Sequence, residues 1–145
     1  DVDIRDIVKK IRSHGINVIA NYIFGLPEDT FATMNETFDL AMELNTEEAN
    51  FYSAMAYPGS PLYGQSTKDG IKLPDQYAGY SQHSYYTQNL PTKYLTAGEV
   101  LKFRDEAWMK YHSHPQYLDM IMKKFGEEAY NATLESTHIV LKRKK

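Results

Sequence analysis

The amino-acid sequence predicts an α/β fold that runs helix, strand, helix, strand and continues into a long irregular segment and a helical tail. Three observations carry this. Apolar residues recur at helical spacing near the start, with Ile4, Ile7, Val8 and Ile11 on one face. Two runs rich in β-branched and aromatic residues, INVIANYIF and ANFYSAMAY, each stop at a glycine–proline turn. Between them lies a helix-patterned stretch long enough to bring the second strand back parallel to the first.

Each element has its own local reason. The first helix is expected over residues 3–14, with Gly15 as its stop. Residues 16–24 read as a strand buried on both faces, because the run is nearly continuous in apolar side chains, and residues 25–29 as the turn after it. Asp29 or Thr30 caps the second helix, Glu28 sits near the positive end of its dipole, and Phe31, Met34, Phe38, Ala41 and Met42 form its apolar face up to about Asn45. The second strand covers residues 49–57 and is cut off by Pro58-Gly59.

Residues 58–95 hold prolines at 58, 61, 74 and 91 and tyrosines at 63, 77, 80, 85, 86 and 94, and are expected to be irregular. A segment of that length is either a functional loop or a cover over a neighbouring element. Thr96-Ala-Gly-Glu99 is a capping box, followed at helical spacing by Val100, Phe103, Ala107 and Tyr111. Pro115 opens a short helix carrying Leu118, Ile121, Met122 and Phe125, with Gly126 as its stop.

Composition narrows the function classes. With 145 residues, 42% of them apolar, the chain can bury a core, and its net charge of −3 gives no general attraction to nucleic acid or anionic lipid. The basic cluster Lys142-Arg143-Lys144-Lys145 is a terminal tail. No secretory signal and no apolar run near membrane-spanning length occur, so the expected compartment is the cytoplasm. The absence of cysteine excludes disulfides, thiolate metal sites, cysteine nucleophiles and iron–sulfur ligation by these residues. The chain opens on Asp1 inside a helical pattern, which suggests a piece of a longer protein.

In parallel α/β folds ligands gather at the carboxyl ends of the strands. Those ends are Phe24-Gly25-Leu26-Pro27-Glu28 and Tyr57-Pro58-Gly59-Ser60. Gly25 and Gly59 either let a flat heteroaromatic ligand approach the backbone or simply make tight turns. Tyr80 to Tyr86, with His83 as a proton donor or axial-type ligand, either line a substrate pocket or pack beneath a loop. His112 and His114, with no third ligand in reach, read as a surface pair rather than a metal site. Trp108 reads as core, and Glu47-Glu48 as a solvated linker. The glycines match neither a phosphate loop nor a dinucleotide fingerprint.

NYIFGLPE, residues 21–28, resembles the G-x-I-x-G-x-x-E motif on the fifth strand of radical S-adenosylmethionine enzymes, and NYIFGLPEDT resembles that family's IxGLPGET run. ANFYSAMAYPGSPLY, residues 49–63, is similar to the sixth strand and the turn after it. The nearest likeness is to the branch with an N-terminal cobalamin-binding domain, which includes the anaerobic magnesium-protoporphyrin ester cyclase and radical methyltransferases. It covers residues 1–65 well and the rest loosely.

The resemblance implies residues 1–65 as the last two βα units of a (β/α)6 partial TIM barrel, 66–95 as a tyrosine-rich substrate loop and 96–145 as a helical extension. It also implies S-adenosylmethionine, a [4Fe-4S] cluster ligated outside this chain, and cobalamin as a further cofactor. Ile23 and Gly25 would contact adenine, Glu28 would stabilise the turn, and Tyr57, Pro58 and Gly59 would border the nucleoside. Tyr80 and His83 would meet a small-molecule substrate. Two departures stand out: Asn21 replaces the motif's first glycine, and Glu28-Asp29 replaces Gly-Glu, which shifts the acid by one. The expected partner is the preceding part of the same protein, without which the open strand edges would self-associate. A non-catalytic interaction module built on a degenerate barrel is the alternative, and an ordinary nucleotide-binding α/β domain a third reading.

Overall fold

The structure, a computed structural model, describes residues 2–144. Its elements are α1 (Ile4–Ser13), β1 (Ile19–Phe24), α2 (Phe31–Leu44), β2 (Glu48–Ser53), α3 (Pro61–Lys68), a 3₁₀ turn at Tyr77–Tyr80, α4 (Ala97–His112) and α5 (Pro115–Thr137). The two strands are parallel neighbours, with Tyr22 opposite Phe51 and Ile23 opposite Tyr52. The α/β order expected from the sequence is present.

Alternation along the strands separates two faces. Tyr22, Phe24, Ala49, Phe51 and Ser53 are buried, whereas Ile19 and Ile23 are 59% and 50% exposed. The expectation of a strand buried on both faces is therefore corrected: α2, α4 and α5 all pack on one face, and the other stays open. Aromatic contacts knit the covered face. Phe103 meets Phe24 edge-on at 5.0 Å between ring centres, Tyr111 meets Phe51 at 5.4 Å, and Tyr117 follows Tyr111 at 4.8 Å. Burial of such rings is the main driving force for docking α4 and α5.

Helix ends follow the local signals. Thr30 and Thr96 each form a reciprocal capping box, with Thr33 and Glu99, and Asn45 closes α2 in the left-handed conformation at φ 42°. Both strands are shorter than expected. Ala54 still donates to Phe24 O at 2.8 Å, while Met55 and Ala56 lie past the ladder yet remain buried, so their apolar character reflects packing rather than pairing. Residues 58–95 are not wholly irregular, because Ser60 caps and Pro61 opens α3. Gly126 stops the first helical stretch of α5 as expected: at φ 86° and ψ −176° it separates it from a second stretch that carries Ala129 and Tyr130 against the core.

Glu47 reverses its expected role as part of a solvated linker. Its side chain is 4% exposed and pairs with Arg12 and Lys124 while accepting from the Val18 amide at 2.9 Å. Arg12 also donates to the Leu44 carbonyl at 2.8 Å and to Asn45 O. These bonds tie α1, α5 and the end of α2 together at the amino ends of the strands. No described helix is long and apolar enough to cross a membrane.

Candidate functional site

At the carboxyl end of β1 the chain turns through Gly25, whose φ of 80° only glycine adopts without strain. The Asp29 carboxylate holds that turn, accepting from the amides of Gly25 and Leu26, both at 2.9 Å, and from the Thr33 hydroxyl at 2.8 Å. Thr30 then starts α2. Glu28, the acid the motif pointed to, is 76% exposed and reaches only Lys93, at 3.7 Å. The turn's stabilising carboxylate is thus Asp29 instead of Glu28, consistent with the one-residue shift in the sequence.

Gly25 itself is buried, and the space beside its Cα belongs to α4: a Cβ there would stand 2.3 Å from Val100 Cγ1. Its lack of a side chain serves helix packing as well as the turn. The surface facing solvent at this strand end comes from Ile23 and Leu26, 50% and 49% exposed. One rung below Ile23 and Tyr52 on the open face, Asn50 Nδ2 donates to Asn21 Oδ1 at 3.2 Å. The asparagine in place of the motif's glycine therefore forms a polar rung with β2.

The second strand end places Tyr57, Pro58 and Gly59 at the surface, with Gly59 at φ 87° and no atom near its open side. Ser60 accepts from the Tyr63 amide at 3.1 Å and so fixes the start of α3. The Tyr57 ring stacks on Tyr80 at 5.8 Å, and its hydroxyl donates to the Tyr80 carbonyl at 3.4 Å. The Tyr80 pKa is raised above the ordinary tyrosine value, first by burial and then by Tyr63 and Asp75 nearby.

His83 does not join this cluster. It lines a cavity of about 630 Å³ between α4 and residues 136–144, together with Leu101, Trp108 and Ile139. Burial lowers its pKa, and Arg104 and Arg143 lower it further. The tertiary structure thus brings Tyr80 to the strand ends and takes His83 to another surface.

The two histidines with metal-ligand spacing are each engaged otherwise. His112 is buried against Trp108, ring centres 4.4 Å apart, and its Nδ1 meets the Trp108 carbonyl at 2.8 Å. The expectation of a surface pair is corrected for His112. His114 caps α5 through the Gln116 amide. Among the described residues no three His, Asp or Glu side chains come together as a metal site, and the sequence has no thiolate to offer an iron–sulfur cluster.

The two edges of the sheet differ. On the outer edge of β2, Gln82 places its side-chain amide like a neighbouring peptide, accepting from Ser53 N at 3.0 Å and donating to Ser53 O at 3.0 Å. Arg104 Nε donates to Phe51 O at 2.7 Å, and Leu90 N to Ala54 O at 3.0 Å. On β1, bonds from Glu48 N to Val18 O and from Ala54 N to Phe24 O orient alternate residues toward β2. The main-chain groups of Ile19, Asn21 and Ile23 point the other way, and none has a partner among the described residues.

Asn50, Tyr52 and Gln82 have no signal of their own in the sequence, which marks Asp29 only as a cap candidate and a shifted acid and Asn21 only as a departure from the motif. Period-two alternation would have sorted Asn21 and Ile23 from Tyr22 and Phe24, while nothing local marks Gln82, which acts across 29 residues.

No known protein-family profile matches the chain. Over 113 residues it is 23% identical to an uncharacterized methyltransferase of Pyrococcus horikoshii, covering 78% of this chain and 24% of that protein. It is 29% identical over 97 residues to an anaerobic magnesium-protoporphyrin IX monomethyl ester cyclase of Cereibacter sphaeroides, covering 67% and 15%. The like-named cyclase of Rubrivivax gelatinosus is 24% identical over 113 residues, covering 72% and 20%. The chain spans a quarter or less of the length of these relatives, and it stands as a distant relative of proteins named a methyltransferase and cyclases.

Proposed function

We propose that this chain is the closing part of a radical S-adenosylmethionine enzyme, contributing the last two strand–helix units of a (β/α)6 partial barrel, a loop over its open end and a helical extension. The observation that carries the reading is the asymmetry of the sheet. An edge whose peptide groups are taken by Gln82, Arg104 and Leu90 suits the final strand of an open barrel, and an unpaired edge on β1 suits a strand to come before it. The open face would then line the barrel. The distant similarity to a methyltransferase and to cyclases supports the same family.

Fit to the cofactor divides by group. An adenine suits the exposed apolar surface of Ile23 and Leu26, with Tyr57, Pro58 and Gly59 as the facing wall. A [4Fe-4S] cluster does not fit residues of this chain, which has no cysteine, and its ligands would come from the preceding part of the protein. Bound S-adenosylmethionine would supply radical chemistry on an unactivated carbon, as methyl transfer or cyclisation. The residues of this chain bind and orient. Asp29 fixes the turn, Ile23 and Tyr57 border the nucleoside, and Asn21, Asn50 and Tyr52 present hydrogen-bonding groups toward the barrel interior.

The test is reductive cleavage of S-adenosylmethionine by the full-length protein, purified without oxygen and reconstituted with iron and sulfide. Release of 5′-deoxyadenosine that falls at least about tenfold in Ile23→Asp, with folding unchanged, is the expected result. A folded protein without cleavage removes the reading. The unpaired β1 edge would then favour a module that binds a partner strand.

A further inference from the structure

The segment 80–88 has little apolar surface with which to hold itself: Tyr85 and Tyr86 are 49% and 57% exposed, and its most buried side chain is Gln82. Ordering such a segment costs conformational entropy that hydrogen bonds must offset. Arg143 supplies them. Its Nη1 faces three acceptors of the segment, Gln82 O at 2.9 Å, Ser84 O at 3.1 Å and Thr87 Oγ1 at 2.8 Å. The other side of the guanidinium grips Asp105 through Nε at 3.0 Å and Nη2 at 2.7 Å. Next to it, Lys144 N donates to Tyr85 O at 2.9 Å.

These bonds close a ring. Asp105 also accepts from Arg104 Nη1 at 2.9 Å, and Arg104 Nε reaches Phe51 O on β2. From Arg143 the path returns through Gln82, whose amide holds Ser53 on the same strand. Two guanidinium groups share one carboxylate here, and the carbonyls of Phe51, Gln82 and Ser84 complete their solvation. The planar fork of arginine matches this arrangement, because it addresses a carboxylate and a loop in one plane.

We propose that Arg143 is a positioning residue that latches segment 80–88 onto β2, and thereby sets Tyr80 against Tyr57 at the ligand end of the sheet. The part concerning Tyr57 rests on the cofactor reading above; the latch itself does not. A lysine would keep the charge at 143 but not the fork, so Arg143→Lys should behave much like Arg143→Ala.

The experiment is amide hydrogen exchange on the full-length protein and its variants, followed by S-adenosylmethionine binding. In both Arg143 variants the amides of Ser53 and Leu90 should exchange at least about tenfold faster, while α2 keeps its protection. Thr87→Val removes one acceptor of Arg143 together with the hydroxyl's own bonds to Ser81 O and Ser84 O, so Asp105→Asn, which leaves those segment bonds in place, is the second probe: it should give a smaller change in the same peptides, and it reports on the latch even where Arg143→Ala does not fold. Unchanged exchange, equal loss in α2, or full rescue by lysine would each overturn the latch. An expected weakening of S-adenosylmethionine binding by about tenfold in Arg143→Lys completes the proposal. Faster exchange with unaltered binding would keep the latch and remove Tyr57 from the cofactor's wall.

Discussion

Val100 fills the space where a side chain on Gly25 would begin: the ideal Cβ position of Gly25 lies 2.3 Å from Val100 Cγ1 and 3.3 Å from its Cβ. The first turn of α4 is therefore built against the turn after β1. A change at either residue is transmitted to the other by contact.

Gly25→Ala should lose about 2–4 kcal/mol of stability, combining a left-handed backbone strain with overpacking against α4. Val100→Ala leaves a cavity of its own and should cost about 1–3 kcal/mol. The double variant should cost at least about 1 kcal/mol less than the sum, as read from urea unfolding of all four proteins. Strict additivity would mean that the two residues do not compete for space. Substitution at Gly25 is accordingly a poor probe of a bound cofactor, and Ile23 a better one.

The acids of the turn should separate cleanly. Asp29→Ala leaves the amides of Gly25 and Leu26 without their acceptor and the Thr33 hydroxyl with only its longer bond to Thr30 O, and should cost about 1.5–3 kcal/mol. Glu28→Ala, at a largely exposed side chain with one long contact to Lys93, should stay within about 0.5 kcal/mol. Equal losses in denaturant titrations would contradict the assignment of the turn to Asp29.

Acid should weaken the fold through Glu47. Burial pushes this carboxyl upward, but Lys124, the amides of Val18 and Glu47 and the Arg12 guanidinium outweigh it and bring the pKa down to about 2. A folded pKa below the unfolded one stabilises the native state above the ordinary carboxylate range, and that stability is lost as pH falls from about 4.5 toward 2. The loss should be roughly 3 kcal/mol over that window. His112, whose pKa is lowered chiefly by burial and also by Arg104, adds a smaller loss in the same direction, beginning as pH drops below its unfolded value. Urea midpoints for Glu47→Gln should show a flatter acid limb than the parent protein. Parallel limbs would assign the acid sensitivity to other carboxylates.

Much of the fold is legible in local sequence because its signals act within a few residues. The capping boxes at Thr30 and Thr96, the left-handed stops and the proline starts each fix the backbone where they stand. The order helix, strand, helix, strand follows from periodicity, which is also local. Errors arise where burial is decided by what arrives from elsewhere. INVIANYIF is apolar enough for two covered faces, yet only one is covered. Glu47 looks like a solvent-facing acid until Arg12 and Lys124 reach it from 35 and 77 residues away.

The candidate site divides along the same line. By itself the sequence determined the parallel strand pair, the glycine turns at both strand ends and a family resemblance, because these depend on short motifs and spacing. Only the tertiary structure decided which acid holds the turn, that Gly25 faces α4, that Tyr80 meets Tyr57 while His83 does not, and that the outer edge of β2 is taken by Gln82, Arg104 and Leu90 while that of β1 has no partner among the described residues. Such outcomes depend on contacts between residues far apart in the chain, and no local pattern encodes which long-range partner will complete a hydrogen bond or fill a space.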